Sequence, residues 1–309
     1  MINDMSFTAR WKATVSSRGS VVCAGLDPPP AEMGRGDKGL PADTDRRDWA
    51  LRYLDAVAPY VSALKPNVQY WKGPGDIAVL EEVCAAAREL GLLVVEDAKL
   101  ADIGATNDAG FFYAARRADA VTLAPFGGNL EASTECAHER GIAVIPLCLM
   151  SNPEYASEKT TTAAADDLPR FEALAAEAAR VAADGVVVGA PSPENHITEE
   201  ELRAVRRHIG ADLVVLMPGV GAQGGDPAGV FSVFDPDQVI VAAARGLMFP
   251  RGSGSTPVEQ AEAARTLRDQ LEAACGGAGG RGSAGGRGDG PAGGRGSGIG
   301  PAPAREAPP

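Results

Sequence analysis

The sequence has little of what a metal site, a disulfide framework or a membrane anchor requires. Its three histidines form no H-x-x-H or H-E-x-x-H pattern, and its five cysteines are widely spaced with no C-x-x-C pair, so we expect neither a metal nor disulfides. No apolar run approaches the ~18–20 residues that cross a bilayer, and the N-terminal stretch lacks a continuous apolar segment. We therefore expect no membrane association and a reducing compartment, most simply the cytoplasm.

Positive charge is also scarce. The chain has 29 lysines and arginines against 41 aspartates and glutamates, which gives a formal net charge of −12. Residues 276–309 have a net charge of +2, so residues 1–275 have a net charge of −14. Such an acidic body disfavours contact with a phosphate backbone, so we do not expect nucleic acid as the main partner.

The last 34 residues differ in composition from the rest. Residues 276–309 hold 14 of the 38 glycines and no Leu, Val, Phe, Trp or Tyr. They cannot bury enough apolar surface to offset the entropy of an ordered chain. We therefore expect one folded domain at residues 1–275 and a disordered Gly/Pro/Arg-rich tail at 276–309.

Short apolar runs recur along residues 1–275 and indicate buried parallel strands. Near-continuous hydrophobicity, rich in Val, Ile and Leu, is typical of strands covered on both faces. The runs span residues 21–27, 61–67, 92–99, 120–126, 142–149, 185–191, 213–219 and 239–246. Stretches of helical period lie between several of these runs, at residues 48–60, 76–90, 168–183, 199–208 and 256–274.

Eight strand–helix rounds in ~250 residues predict a (β/α)₈ TIM barrel of the α/β class. A doubly wound open sheet is the alternative, but it would require a G-x-G-x-x-G after the first strand, where the sequence reads AGLDPPP. Loops 28–47 and 152–167 leave the face that carries the C-terminal strand ends, and both exceed the usual ~2–6 residues. They either fold over a ligand or are surface insertions.

The densest chemical signal is EDAKLADIGATND at residues 96–108. Asp97 and Lys99 are two residues apart, so on an extended strand they point to the same side, and Asp102 follows beyond the strand end. Neighbouring carboxylates would keep Lys99 protonated. A fixed ammonium can stabilise negative charge that develops on carbon and then deliver a proton to it. A salt-bridge cluster that merely closes the barrel is the alternative.

Two later segments indicate a phosphate site. MPGVGAQGGDP at residues 217–227 follows the seventh strand and holds four glycines and Gln223, while ARG at 244–246 leaves the eighth strand. Backbone amides of a glycine-rich loop can approach an anion, and Arg245 can bind phosphate in a bidentate manner. Loops after strands seven and eight are the usual phosphate position in this architecture.

The chain resembles the orotidine 5′-phosphate decarboxylase family, in its longer bacterial subgroup. The resemblance rests on D-A-K-L-A-D-I-G-A-T, on GVGAQGGD and ARG at the later strands, on LDP after strand one, LKPN at strand two and LMSNP after strand five. It covers most of residues 20–255 and implies a cofactor-free conversion of orotidine 5′-monophosphate to UMP and CO₂, the last step of pyrimidine biosynthesis.

The resemblance also assigns roles to residues of this sequence. It implies that Lys99 protonates C6 of the pyrimidine, that Asp97 faces the substrate carboxylate, and that the neighbouring subunit of a homodimer contributes Asp102. The resemblance also implies the residues that bind the rest of the substrate. They are Asp27 and Lys65 at the ribose, Thr106 from the partner subunit, Ser151 at the pyrimidine edge, and Gln223 and Arg245 at the phosphate.

Two alternatives stay open at the level of sequence. A sugar-phosphate decarboxylase or synthase on the same barrel shares the acid–lysine–acid motif, but such relatives resemble metal-dependent enzymes. A catalytically silent nucleotide-binding barrel would bind UMP and release no CO₂.

Overall fold

The computed structural model describes residues 5–162, 167–220 and 225–279, and it confirms the predicted (β/α)₈ barrel. Parallel strands pair in sequence order, and the eighth closes the barrel against the first. The strands are β1 (Val22–Leu26), β2 (Ala63–Pro66), β3 (Leu93–Leu100), β4 (Ala120–Leu123), β5 (Ala143–Leu149), β6 (Gly185–Val188), β7 (Val214–Pro218) and β8 (Val239–Ala243). Each lies within or overlaps one of the predicted apolar runs.

Helices alternate with these strands and cover the barrel. They are α1 (Phe7–Arg18), α2 (Arg46–Val57), α3 (Asp76–Glu89), α4 (Gly104–Ala115), α5 (Leu130–Glu139), α6 (Tyr155–Glu158), α7 (Arg170–Arg180), α8 (Glu199–Ile209), α9 (Pro227–Phe231), α10 (Arg245–Met248) and α11 (Pro257–Gly279). None of the helices in the described ranges is both long and apolar enough to cross a bilayer.

The five helices predicted from periodicity are present as α2, α3, α7, α8 and α11. The last of them continues to Gly279, four residues past the predicted boundary of the tail. Residues 280–309, most of that predicted tail, lie outside the described residues.

The closure between β8 and β1 depends on a close approach of the two backbones. A Cβ at Gly25 would collide with the Cβ of Ala244, so only glycine fits at this point of β1. The carbonyl of Gly25 also accepts a hydrogen bond of 3.1 Å from the buried hydroxyl of Tyr53 on α2. This approach brings the loop that follows β1 next to Arg245, which follows β8.

Candidate active site

A cavity of about 980 Å³ opens at the C-terminal ends of the strands, on the face predicted to carry the chemistry. Four residues predicted from the sequence line it, namely Asp27, Lys65, Asp97 and Arg245. The ends of β7 and β8 form another part of its wall, and residues of loop 28–47 form a third. The strand-end geometry therefore brings together charged groups that are distant in sequence.

Asp97 is the centre of a buried charge network. Its Oδ2 accepts a hydrogen bond of 2.7 Å from the Nζ of Lys65, and its Oδ1 pairs with the Nζ of Lys99. Burial alone would raise the pKa of the Asp97 carboxyl, but the two ammonium groups outweigh burial and hold the pKa well below its usual range. Asp97 is therefore a carboxylate at neutral pH.

Lys65 is fixed in its charged form by the same network. Burial acts to lower the pKa of this lysine, but the carboxylates of Asp97 and Asp27 outweigh it and raise the pKa above its usual value. The side chain is 9% exposed and its hydrogen bond is directed at Asp97. Lys65 therefore behaves as a permanent cation that neutralises one of the buried acids.

Lys99 combines a strained backbone with an accessible ammonium. Its φ is +49°, in the left-handed region that side chains rarely adopt, and β3 changes register against β4 between Glu96 and Leu100. The simple alternation expected of an extended strand is thus interrupted here. The side chain is 42% exposed and still reaches Asp97, so one face of the ammonium is paired and the other is available.

Thr122 on β4 supports this arrangement, and the sequence analysis did not single it out. Its buried hydroxyl accepts a hydrogen bond of 2.9 Å from the backbone amide of Lys99 and donates one of 3.1 Å to the Oδ1 of Asp97. The hydroxyl therefore holds the strained backbone and the carboxylate together. A polar residue within the apolar run AVTLAPF was the signal that could have revealed it.

Asp27 presents an unused acceptor. Its Oδ1 is buried and has no hydrogen-bond partner among the described residues. Burial is the main cause that raises the pKa of this carboxyl, and the ammonium of Lys65 partly opposes the shift. A buried, unpartnered oxygen is costly unless a ligand satisfies it, so Asp27 is suited to receive a hydroxyl group.

Of the two residues predicted to hold a phosphate, Arg245 lies in the cavity wall. Arg245 is the first residue of α10 and lines the cavity beside Gly219 and Val220. The ends of the preceding glycine-rich loop meet, because the amide of Gly225 donates to the carbonyl of Gly219 at 3.3 Å. Gln223 lies outside the described residues.

Asp102 and Thr106 stand apart from the network within one chain. Both are exposed, Asp102 two residues before α4 and Thr106 in its first turn, and neither lines the cavity. The Oδ1 of Asp102 accepts from the amide of Ile103 at 2.8 Å rather than from a lysine. The network inside one chain is thus Lys65–Asp97–Lys99.

Ser151 follows β5 and lies half-buried against the end of β6. A Cβ at Gly189 would come within 2.8 Å of the Cβ of Ser151, so the absence of a side chain at Gly189 makes room for it. Ser151 is on the correct face of the barrel but is not part of the cavity wall.

The two long loops behave differently. Loop 28–47 lines the cavity with Pro29, Gly34, Arg35 and Lys38, of which the two cations were not predicted as site residues. In the described part of loop 152–167, buried Lys159 contacts the Oε1 of Glu201 at 2.5 Å and the carbonyl of His196 at 2.6 Å. That loop therefore packs onto the start of α8, while loop 28–47 folds towards the ligand cavity.

Known proteins resemble this chain over most of its length. The pattern described as the orotidine 5′-phosphate decarboxylase / HUMPS family matches residues 20–247. Orotidine 5′-phosphate decarboxylase of Variovorax paradoxus is 35% identical over 286 residues, which cover 87% of this chain and 99% of the relative. The protein of the same name from Halobacterium salinarum is 33% identical over 279 residues, covering 86% and 98%. The structure of Leishmania donovani OMP decarboxylase matches with a TM-score of 0.68 and 25% identity, covering 88% and 99%.

Proposed function

The chain belongs to the orotidine 5′-phosphate decarboxylase / HUMPS family, and from this premise we propose that it decarboxylates orotidine 5′-monophosphate to UMP and CO₂ in pyrimidine biosynthesis. We propose further that the reaction needs no cofactor and that Lys99 donates the proton to C6. The observation that carries the proposal is the pairing of a half-exposed Lys99 ammonium with the carboxylate of Asp97 at the mouth of the barrel.

The proposed chemistry begins with the carboxylate of the substrate held against Asp97. Loss of CO₂ breaks the bond to C6 and leaves its electron pair in an orbital that the ring cannot delocalise. The Lys99 ammonium would stabilise this charge before it transfers a proton to the same carbon. Because Lys65 already pairs with the other oxygen of Asp97, the acid stays ionised throughout.

The rest of the nucleotide supplies binding energy away from the reacting carbon. The unpartnered oxygen of Asp27 and the ammonium of Lys65 would contact the ribose hydroxyls, and Ser151 would address the pyrimidine edge. Gln223 and Arg245 would hold the phosphate. Contacts to these remote groups can offset the cost of pressing the substrate carboxylate against Asp97.

Replacing Arg245 with alanine tests the phosphate assignment. We expect kcat/KM for orotidine 5′-monophosphate to fall about 100-fold, because a charge-assisted contact to a dianion is lost, while activity on free orotidine changes little. Steady-state kinetics with both substrates measures the two values. Equal losses for nucleotide and nucleoside would contradict the assignment.

The homodimer proposal rests on an exposed apolar patch around Asp102. Phe126 is 82% exposed and Ile103 is 62% exposed, and the two segments are adjacent because a Cβ at Gly127 would lie 3.2 Å from the side chain of Ile103. Large apolar groups clustered on a surface mark an interaction site. A second copy of the chain docked on this patch would bury it and could bring its Asp102 and Thr106 to the cavity.

The five cysteines are free, in keeping with the reducing cytoplasm that we propose as the location of the protein.

Thr122 offers a test of how the network is positioned. We expect Thr122→Val to lower kcat about 10-fold with little change in KM, because the Lys99 amide and Asp97 lose their shared partner. Thr122→Ser retains the hydroxyl and should restore most of the rate. Kinetics and thermal unfolding of both variants check this. A loss in Thr122→Val that Thr122→Ser does not recover would contradict a positioning role.

The proposed function is tested by a substrate comparison. The purified chain should convert orotidine 5′-monophosphate to equal amounts of UMP and CO₂ and should leave 3-keto-gulonate 6-phosphate and hexulose 6-phosphate unchanged. Turnover of a sugar phosphate in place of the nucleotide would assign the chain to the other branch of the family. UMP binding without CO₂ release would identify a nucleotide-binding barrel.

A further inference from the structure

Loop 28–47 is held in a defined position over the mouth of the barrel. The amide of Leu40 donates to the carbonyl of Pro29 at 2.8 Å, which closes residues 29–40 on themselves, and Leu40 is buried. At the end of the loop, Arg46 pairs with Asp76 at 2.6 Å and donates to the carbonyl of Tyr70, also at 2.6 Å. The first contact closes residues 29–40 on themselves, and the contacts of Arg46 hold the end of loop 28–47 against Tyr70, which also lines the cavity.

Two cations project from this closed segment. Arg35 and Lys38 are exposed, and both line the same cavity as Arg245. Neither forms an ion pair with any residue of the described ranges. The intervening Asp37 packs instead against Gly252, because a Cβ at Gly252 would lie 3.3 Å from the Cβ of Asp37. The loop therefore presents its two positive groups to the cavity and contacts the segment after β8 with its acid.

The charge balance of the cavity leaves these cations uncompensated. Asp97 is paired with Lys65 and Lys99, and Asp27 is the other carboxylate in the cavity wall. Residues 1–275 carry −14 overall, so a group of positive side chains in one cavity is a local exception to the charge of the surface. Such a group favours a multiply charged anion.

Barrel closure explains why the first loop can reach a phosphate that Arg245, two residues after β8, would bind. β1 pairs with β8, so loop 28–47 is the spatial neighbour of Arg245 although the two are about 200 residues apart in sequence. We propose that Arg35 and Lys38 form a second phosphate-binding arm, which contacts the phosphate monoester of the bound nucleotide together with Arg245. This inference rests on the proposed function for the identity of the nucleotide.

The test compares the affinity for UMP and for uridine in the intact chain. In the double variant Arg35→Ala, Lys38→Ala we expect the Kd for UMP to rise at least about 10-fold, while the Kd for uridine stays within about twofold. The salt dependence of UMP binding should also become shallower, because two cations near the anion are lost. Isothermal titration at several salt concentrations measures both effects.

Arg47→Ala is the matched control. Arg47 is the last residue of loop 28–47, in the first turn of α2, and it pairs with Glu82 outside the cavity, so its loss should leave UMP affinity unchanged. Thermal unfolding shows whether each variant is folded, and the single variants Arg35→Ala and Lys38→Ala serve if the double variant is not. Wild-type affinity for UMP in the variants, or equal weakening of UMP and uridine, would overturn the proposal.

The proposed phosphate-binding arm and the proposed decarboxylase activity can fail independently of each other. If the chain binds UMP through Arg35 and Lys38 but releases no CO₂ from orotidine 5′-monophosphate, the arm stands and the decarboxylase function fails. If the chain turns over the nucleotide and the variants bind UMP as the wild type does, the function stands and the arm fails.

Discussion

Lys99→Ala is expected to lower kcat for orotidine 5′-monophosphate by about 10⁴-fold or more, because the variant lacks the ammonium that we propose both stabilises the carbanion and donates the proton. The affinity for UMP should remain within about threefold of the wild-type value. UMP lacks the carboxylate and carries no charge at C6, so the contribution of Lys99 arises only as the reaction proceeds. Kinetics and UMP titration on the same preparation separate the two effects.

Lys12→Ala is the matched control for this variant. Lys12 is a partly exposed lysine on α1, 3.9 Å from Asp237 and remote from the cavity, so its removal should leave kcat and UMP affinity unchanged. Residual activity of Lys99→Ala above a few per cent of the wild type would exclude Lys99 as the proton donor. A parallel collapse of UMP binding would indicate that the lysine has a structural role.

Mixing Asp102→Ala with Lys99→Ala is expected to recover activity that neither variant shows alone. If Asp102 acts across a dimer interface, a hybrid dimer contains one site with both residues intact and one site with neither. Random exchange makes half of the dimers hybrid, so about a quarter of the wild-type activity per site should return. The increase from near zero to this level makes the effect large and easy to measure.

The structure motivates this experiment because Asp102 does not contact the Lys65–Asp97–Lys99 network within its own chain. The two variants are unfolded together or incubated until subunits exchange, and the rate is compared with that of each variant alone. In the control mixture of Asp102→Ala with wild type, exchange should leave the activity at half of the wild-type value per site. Absence of recovery in a mixture shown to contain hybrids would assign Asp102 to a site within one subunit.

The barrel could be predicted from the sequence because its strands are buried on both faces. Their nearly continuous apolar runs stand out from the helical periods between them, and all eight were located. Helix α4 was not predicted, since its first turn contains Gly104, Thr106 and Asn107, which are weak helix formers. Packing of Phe111 into the core stabilises this helix, and such tertiary contacts are not visible in local composition.

The site could be predicted only in part. The spacing of Asp97 and Lys99 correctly brought the two charges together, but a period of two cannot reveal the change of register in β3 or the positive φ of Lys99. The contribution of Thr122 depends on the pairing of β4 with β3 at that irregularity. Asp102, which the resemblance assigns to the site of the neighbouring subunit, does not contact this network within its own chain.

The role of loop 28–47 could not be decided from the sequence for a different reason. Its length and composition fit a lid and a surface insertion equally well, and the outcome depends on which strands are neighbours. Closure of β8 against β1 places the loop beside Arg245, and this is a property of the assembled barrel. Arg35 and Lys38 consequently had no distinguishing feature in the sequence.

The central claim is that a fixed ammonium, with no metal, carries out the decarboxylation. The most direct measurement follows the loss of the orotate chromophore when the chain, dialysed against a chelator, is added to orotidine 5′-monophosphate with the chelator still present. We predict the same rate as before dialysis and no increase when Mg²⁺ is added back. A chain that is inactive under these conditions, or that regains activity only with the metal, would contradict the claim.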